Sequence, residues 1–257
     1  MAKAKIENTE YTSDPRLESA IAAATAEIGS SIGRLSEKLL HRTLKHYLEP
    51  DSTHHEIECL GSVADIMSDG RITEIQTRSL SRLAPKLSRF LESYPVTVVY
   101  PVVTDRLVEW CDPESGEIVE VKKSPKKGRE CDLLAELAGL SDLVGREGLR
   151  FMIIRVSVRE VRLLDGYGKD FRRHATKLNI LPLSVSEPHT VSTLREIASL
   201  LPDSLADSFT SAELFSALRL KGIRASLTLR MLLRLGIIEK TGTEGRAYLY
   251  KRTQIPE

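Results

Sequence analysis

Residues 62–78 read Ser62-Val63-Ala64-Asp65-Ile66-Met67-Ser68-Asp69-Gly70-Arg71-Ile72-Thr73-Glu74-Ile75-Gln76-Thr77-Arg78, and the Asp69-Gly70 pair within them is a strong signal for a two-residue hairpin turn. With that turn, Ser68 faces Arg71, Met67 faces Ile72, Ile66 faces Thr73, and Asp65 faces Glu74. Directly opposed residues share a sheet face, their Cβ atoms about 4.5–5.5 Å apart. Period-2 alternation puts Ile72, Glu74 and Gln76 on that face and Ile75 on the other. Two opposed carboxylates repel, and two readings offset the cost. Either the face is open to water that screens the acids, or a divalent cation lies between them, since Mg²⁺ takes hard oxygen ligands from one or two carboxylates.

Outward from the hairpin, helical patterns precede it at roughly 15–28 and 31–48. The second carries Ile32, Leu35, Leu39, Leu40, Leu44, Tyr47 and Leu48 at helical spacing, and Pro50 limits it. A strand-like run lies at 55–60. After the hairpin, Leu80, Leu83, Leu87 and Leu91 mark a helix over about 80–93, and Pro95 leads into the β-branched run 96–103. Strands are expected at 107–111, 118–121, 149–156 and 158–164, with a helix at about 132–144. Such a mixture is an α/β or α+β core. The stretch Leu181-Pro-Leu-Ser-Val-Ser-Glu-Pro-His-Thr190 reads as a linker. The expected division is a tail at 1–14, a core domain at 15–184, a linker at 185–189 and a second domain at 190–257.

The 257 residues are 41% hydrophobic and 28% charged, which excludes wholesale disorder. The net charge of +1 hides an asymmetry: residues 209–252 hold nine basic and three acidic side chains, a net of +6. Three cysteines, Cys59, Cys111 and Cys131, are odd in number and far apart, so they make neither a disulfide framework nor a CxxC knuckle. The N-terminus has no apolar signal core, and no apolar run approaches the ~20 residues of a membrane helix. A cytoplasmic protein without membrane contact is expected. His41 and His46, five apart, and the neighbours His54 and His55 lack a third ligand at metal spacing and read as structural or surface residues.

An acid on one strand and Glu-x-Gln on the next, between a helix bearing Glu and another helix, resembles the PD-(D/E)xK nuclease superfamily over about residues 31–110. The resemblance implies a restriction-endonuclease-like fold, a mixed sheet flanked by helices. It implies that Asp65 and Glu74 hold Mg²⁺ or Mn²⁺, with the carbonyl of Ile75 as a further ligand. Gln76 stands where the family usually has Lys, which orients or activates the attacking water. An amide brings a donor and an acceptor but no charge, although some restriction enzymes of the superfamily also carry Glu-x-Gln. Glu37 matches an acid of the family's first core helix; its other reading is a surface partner of His41.

Basic residues extend the picture. Arg78 opens the helix after the motif, where backbone N–H groups also favour a phosphate. The loop Lys122-Lys123-Ser-Pro-Lys126-Lys127-Gly-Arg129 suits a nucleic-acid backbone or a solvated turn.

In the C-terminal segment, helices are expected at 190–201, 210–220 and 225–235, then strands at 237–240 and 246–250 joined by a glycine-rich loop. Thr210 with Glu213 makes a capping box. This order resembles a winged helix-turn-helix. The resemblance implies that helix 225–235 enters a DNA major groove through Arg224, Ser226, Arg230 and Arg234, with Lys240 and Arg246 on the wing and Leu227, Met231 and Leu235 inward. The alternative is a winged helix that binds protein.

Together these readings give a metal-dependent DNA endonuclease guided by a winged helix, with DNA as partner, a homodimer as the arrangement suited to cutting both strands, and no haem or nucleotide cofactor. The alternative is a non-catalytic DNA-binding regulator with a degenerate nuclease core.

Overall fold

The computed structural model describes residues 14–28, 36–77, 79–168 and 173–255, without the side chains of 28 and 36–38. Its elements in chain order are α1 (Pro15–Ile28), α2 (Ser36–Leu48), β1 (His55–Cys59), β2 (Ser62–Ser68), β3 (Arg71–Ile75), α3 (Ala84–Phe90), β4 (Val96–Cys111), β5 (Ile118–Lys123), α4 (Leu133–Leu137), β6 (Leu149–Leu163), β7 (Thr176–Val185), β8 (His189–Val191), α5 (Leu194–Ala198), β9 (Ser208–Thr210), α6 (Ser211–Ala217), α7 (Gly222–Arg234), β10 (Ile238–Glu244) and β11 (Ala247–Arg252). A 3₁₀ turn at Leu80–Leu83 leads into α3, and another at Ala138–Leu140 follows α4. The fold is mixed α/β, a large mixed sheet flanked by helices. Among the described residues this sheet has eight strands in the order β1-β2-β3-β4-β6-β7, with β5 against β4 and β8 against β6.

The hairpin forms as its sequence dictates. Asp69 and Gly70 have φ of 52° and 66°, the left-handed pair that a twisted two-residue turn needs. Ser68 pairs with Arg71, Met67 with Ile72 and Ile66 with Thr73. β3 then pairs parallel with β4, Glu74 beside Val98 and Ile75 beside Val99, across the α3 crossover.

Two compact units share the chain, and the long strands β4 and β6 pass from one into the other. One comprises Asp51–Thr104, Lys127–Arg155 and Glu187–Glu257. A single hydrophobic cluster runs through it, from Ile72, Leu87, Phe90 and Val98 through Leu134 and Phe151 to Ile197, Phe209, Met231 and Leu232. The stretch expected as linker and helix start instead contains β8, which pairs with residues 151–153 of β6. The helix expected over 190–201 shrinks to α5, because Thr193 and Glu196 close a capping box and fix its start. A three-stranded sheet in the order β10-β11-β9 completes this segment, β9 lying between α5 and α6 in the chain and β10 and β11 after α7.

The other unit comprises Met1–Pro50, Asp105–Lys126 and Val156–Ser186. Leu17, Ala20 and Tyr47 join α1 to α2. On its strands lies Glu160, fully buried, with Arg106 Nη1 at 3.0 Å, Arg162 Nε at 2.7 Å and Lys177 Nζ at 3.2 Å.

Candidate active site

The β2–β3 ladder ends after Ile66 and Thr73, and side chains take over. The Ile75 N–H donates to Asp65 Oδ2 at 2.8 Å, and the Asp65 N–H donates to Glu74 Oε1 at 3.2 Å. Each acid thus satisfies a backbone amide of the other strand, which holds both carboxylates at one place on the sheet. Glu74 is buried, at 1% exposed. Lys86 Nζ, from α3, donates to Glu74 Oε2 at 2.6 Å. Burial and the neighbouring Asp65 push the Glu74 carboxyl up to about 7, against the opposing pull of Lys86. A proton and a cation would therefore compete for this carboxylate, and a nearby cation would lower its pKa.

Lys86 is the residue that sequence reasoning missed. Leu83, Leu87 and Phe90 mark the buried side of its turn, and Lys86, three after Leu83 and four before Phe90, shares it. Its Nζ lies 5.6 Å from the centre of the Phe90 ring. Gln76 follows β3; its N–H donates to Val99 O at 3.0 Å, and alternation keeps its side chain on the Glu74 face. The next register step places it beside Tyr100 of β4. Glu37 lies in α2 with its side chain outside the described residues, and Arg78 lies outside them altogether.

A cleft of about 480 Å³ opens one residue beyond Gln76, with Thr77, Ser81, Tyr100, Glu136 and Arg224 in its lining. Glu136 Oε2 accepts the Leu80 N–H at 3.2 Å, and Oε1 accepts Arg224 Nη2 at 2.7 Å. Burial, with Glu136 and Asp132 nearby, pushes the Tyr100 phenol well above its ordinary range, so it stays a neutral donor.

The basic residues divide. Arg224 is tied to Glu136, and Arg234 to Asp142 and to Ser141 Oγ, the latter at 3.3 Å. Arg230 is exposed on the outer face of α7. That helix turns Ala225, Thr228, Met231 and Leu232 inward, leaving Leu227 at 40% exposed, contrary to expectation. Thr228 fills the core position because its hydroxyl donates to Arg224 O at 2.8 Å. Lys240 Nζ sits 3.2 Å from the centre of the Tyr248 ring. Strand β10 runs on to Glu244 through a bulge near Thr241, so the turn is the pair Gly245-Arg246, with Arg246 exposed at the tip. Lys126 and Lys127 are exposed. Arg129, at the end of their loop, instead caps α6, donating to Ala217 O at 2.8 Å and Leu218 O at 2.9 Å.

Among the described residues no helix is long and apolar enough to cross a membrane. The model of a family described as "Domain of unknown function (DUF8091)" matches residues 38–192. An "Uncharacterized protein" of Treponema pallidum (strain Nichols) is 30% identical over 223 residues, 86% of this chain and 88% of that one. No solved structure matches.

Proposed function

We propose that this chain, which belongs to the DUF8091 family, is a metal-dependent nuclease with a restriction-endonuclease-like core and a C-terminal winged helix that binds DNA. The observation that carries the reading is the meeting of Asp65 and Glu74, both tied to backbone amides, with Lys86 against the buried acid. The donor set fits Mg²⁺ or Mn²⁺: two hard carboxylates whose oxygens keep lone pairs beyond the bonds they accept, with the Ile75 carbonyl as a third candidate ligand. A bound cation would polarise a phosphodiester and stabilise the charge that develops on it.

The remaining roles belong to the chain itself. Gln76 lies on the same face and offers an amide to orient a water. Lys86 supplies the positive charge that Gln76 lacks, reaching the site from the following helix rather than from the strand. Helix α7 and the β10–β11 hairpin supply DNA contacts, led by Arg230, Lys240 and Arg246.

A direct test incubates linear duplex, branched and single-stranded DNA with Mg²⁺ or Mn²⁺, beside Glu74→Ala and Lys86→Ala. Cleavage by the wild type, lost in both variants, is expected. Cleavage of no substrate with either metal turns the reading to the second one, a non-catalytic DNA-binding regulator. Two features favour that reading: Gln76 stands where the resembled family usually has Lys, and Lys86 already pairs with Glu74 without a metal.

A further inference from the structure

We propose that the cleft beside the candidate metal site is a subsite for one unpaired nucleobase of the substrate strand. The inference rests on the nuclease reading for the identity of the polymer, but the cleft is tested without cleavage.

Position is the first argument. Glu74 pairs in register with Val98, and Gln76 donates its N–H to Val99 O, so Gln76 and Tyr100 occupy the next row on the same face. The cleft starts there, at Thr77 and Tyr100. A strand whose phosphodiester reached Asp65 and Glu74 would bring its neighbouring nucleotide to this row.

Lining is the second. At about 480 Å³ the cleft falls within the range of small-molecule sites, about 300–1,000 Å³. Pro101, Ala138 and Leu227 give it apolar walls, and Tyr100 adds an aromatic side chain. Such surroundings suit a flat heterocycle, because every base has a π-face to stack on.

Charge is the third. Arg224 and Glu136 neutralise each other at 2.7 Å, so the cleft offers no net positive charge to a bare phosphate. It offers directed hydrogen bonds instead. A guanidinium has five N–H donors, and each carboxylate oxygen has two acceptor positions. After the Arg224–Glu136 bond and the Leu80 N–H bond, both groups keep capacity to spare. With the neutral Tyr100 phenol and the Ser81 hydroxyl, they match the mixed donor and acceptor edge of a base. A base within a duplex has that edge occupied, so the nucleotide must be single-stranded or extruded.

Titration calorimetry on the full chain in EDTA tests this, using each of the four deoxynucleoside 5′-monophosphates, with deoxyribose 5-phosphate and inorganic phosphate as controls. At least one mononucleotide should bind tenfold or more tightly than either control. A single-stranded oligonucleotide should displace it, and the same sequence annealed as a blunt duplex should not. Ala138→Phe, which fills the cleft, and the exposed substitution Arg224→Gln should each weaken binding tenfold or more while keeping the wild-type melting curve; if Ala138→Phe fails to fold, Arg224→Gln decides. No binding of any mononucleotide, equal binding of deoxyribose phosphate, equal displacement by duplex, or unchanged binding in a folded variant overturns the subsite. Mononucleotide binding without cleavage under any metal overturns the nuclease reading and leaves the subsite standing. Cleavage without mononucleotide binding does the reverse.

Discussion

Lys86 Nζ lies 2.6 Å from Glu74 Oε2 in an unequal pair, the lysine side chain 22% exposed and the acid 2%. Even with this partner, burial and Asp65 push Glu74 from about 4.5 up to about 7. A raised folded pKa gives stability that is complete below the unfolded value and lost as pH rises through the folded one. The metal-free protein should therefore lose about 3 kcal/mol between pH 4.5 and pH 8 on this account. Lys86→Ala should match the wild type at pH 5, where Glu74 is protonated, and fall below it at pH 8. Denaturant melts at both values check this; an equal deficit at both would sink it.

Metal should reverse that loss. A cation that binds only the folded site adds about 2.7 kcal/mol at a hundredfold excess over Kd, so Mg²⁺ or Mn²⁺ should raise Tm at pH 8. Asp65→Asn keeps an oxygen to accept the Ile75 N–H but loses a charge. Without metal it should be at least as stable as the wild type at pH 8, and with metal its Tm should scarcely move. Equal shifts in the two proteins would remove Asp65 from the site.

Glu160 has the opposite sign. Its complete burial would raise its pKa, but Lys177, Arg162 and Arg106 outweigh that and hold it below the ordinary value. Its contribution is present above about pH 4.5 and lost as pH falls through the lowered value. Glu160→Ala leaves three cations facing one another and should cost about 3 kcal/mol at pH 7, the low end for a broken buried pair because the cations are partly solvated. The deficit should narrow on acidification below pH 4. A deficit that is constant with pH would mean that lost packing, not charge, accounts for it.

On α7, Arg230 should matter more for DNA than Arg234. Arg234 is held by Asp142, an exposed pair of the kind worth about 0–1 kcal/mol, which a phosphate must displace. Arg230→Ala should make the salt dependence of DNA affinity shallower by up to ~0.9 in log–log slope, and Asp142→Asn should tighten binding. An Arg230→Ala protein with unchanged affinity and slope would take α7 out of the interface.

The hairpin register and the approach of Asp65 to Glu74 were legible because an Asp-Gly turn fixes pairing over the next few residues on each side, and nothing distant intervenes. Lys86 was not, since it meets Glu74 from twelve residues away through a helix packing that no local pattern specifies. Charge content in 209–252 was legible, but its use was not: Arg224 pairs with an acid 88 positions back, and Arg129 spends its donors on α6. Leu227 was misplaced because a threonine that bonds its own helix carbonyl can stand in the core where hydropathy alone would put leucine. Strand β8 is only three residues long, too short to leave a periodic signature.

The cluster that joins Ile72 and Val98 to Met231 and Ile237 has a consequence for synthesis. Chains leave the ribosome at about 5–20 residues per second, so Met231 and Ile237 of this cluster emerge roughly 8–30 s after Ile72. Until then the cluster that contains Ile72, Leu87 and Phe90 is incomplete. Emergence of α7, rather than of the Asp-Gly hairpin, should therefore mark the appearance of full protease resistance around residues 51–104. A stalled chain ending before α7 should remain a substrate for proteases and holding chaperones throughout that stretch.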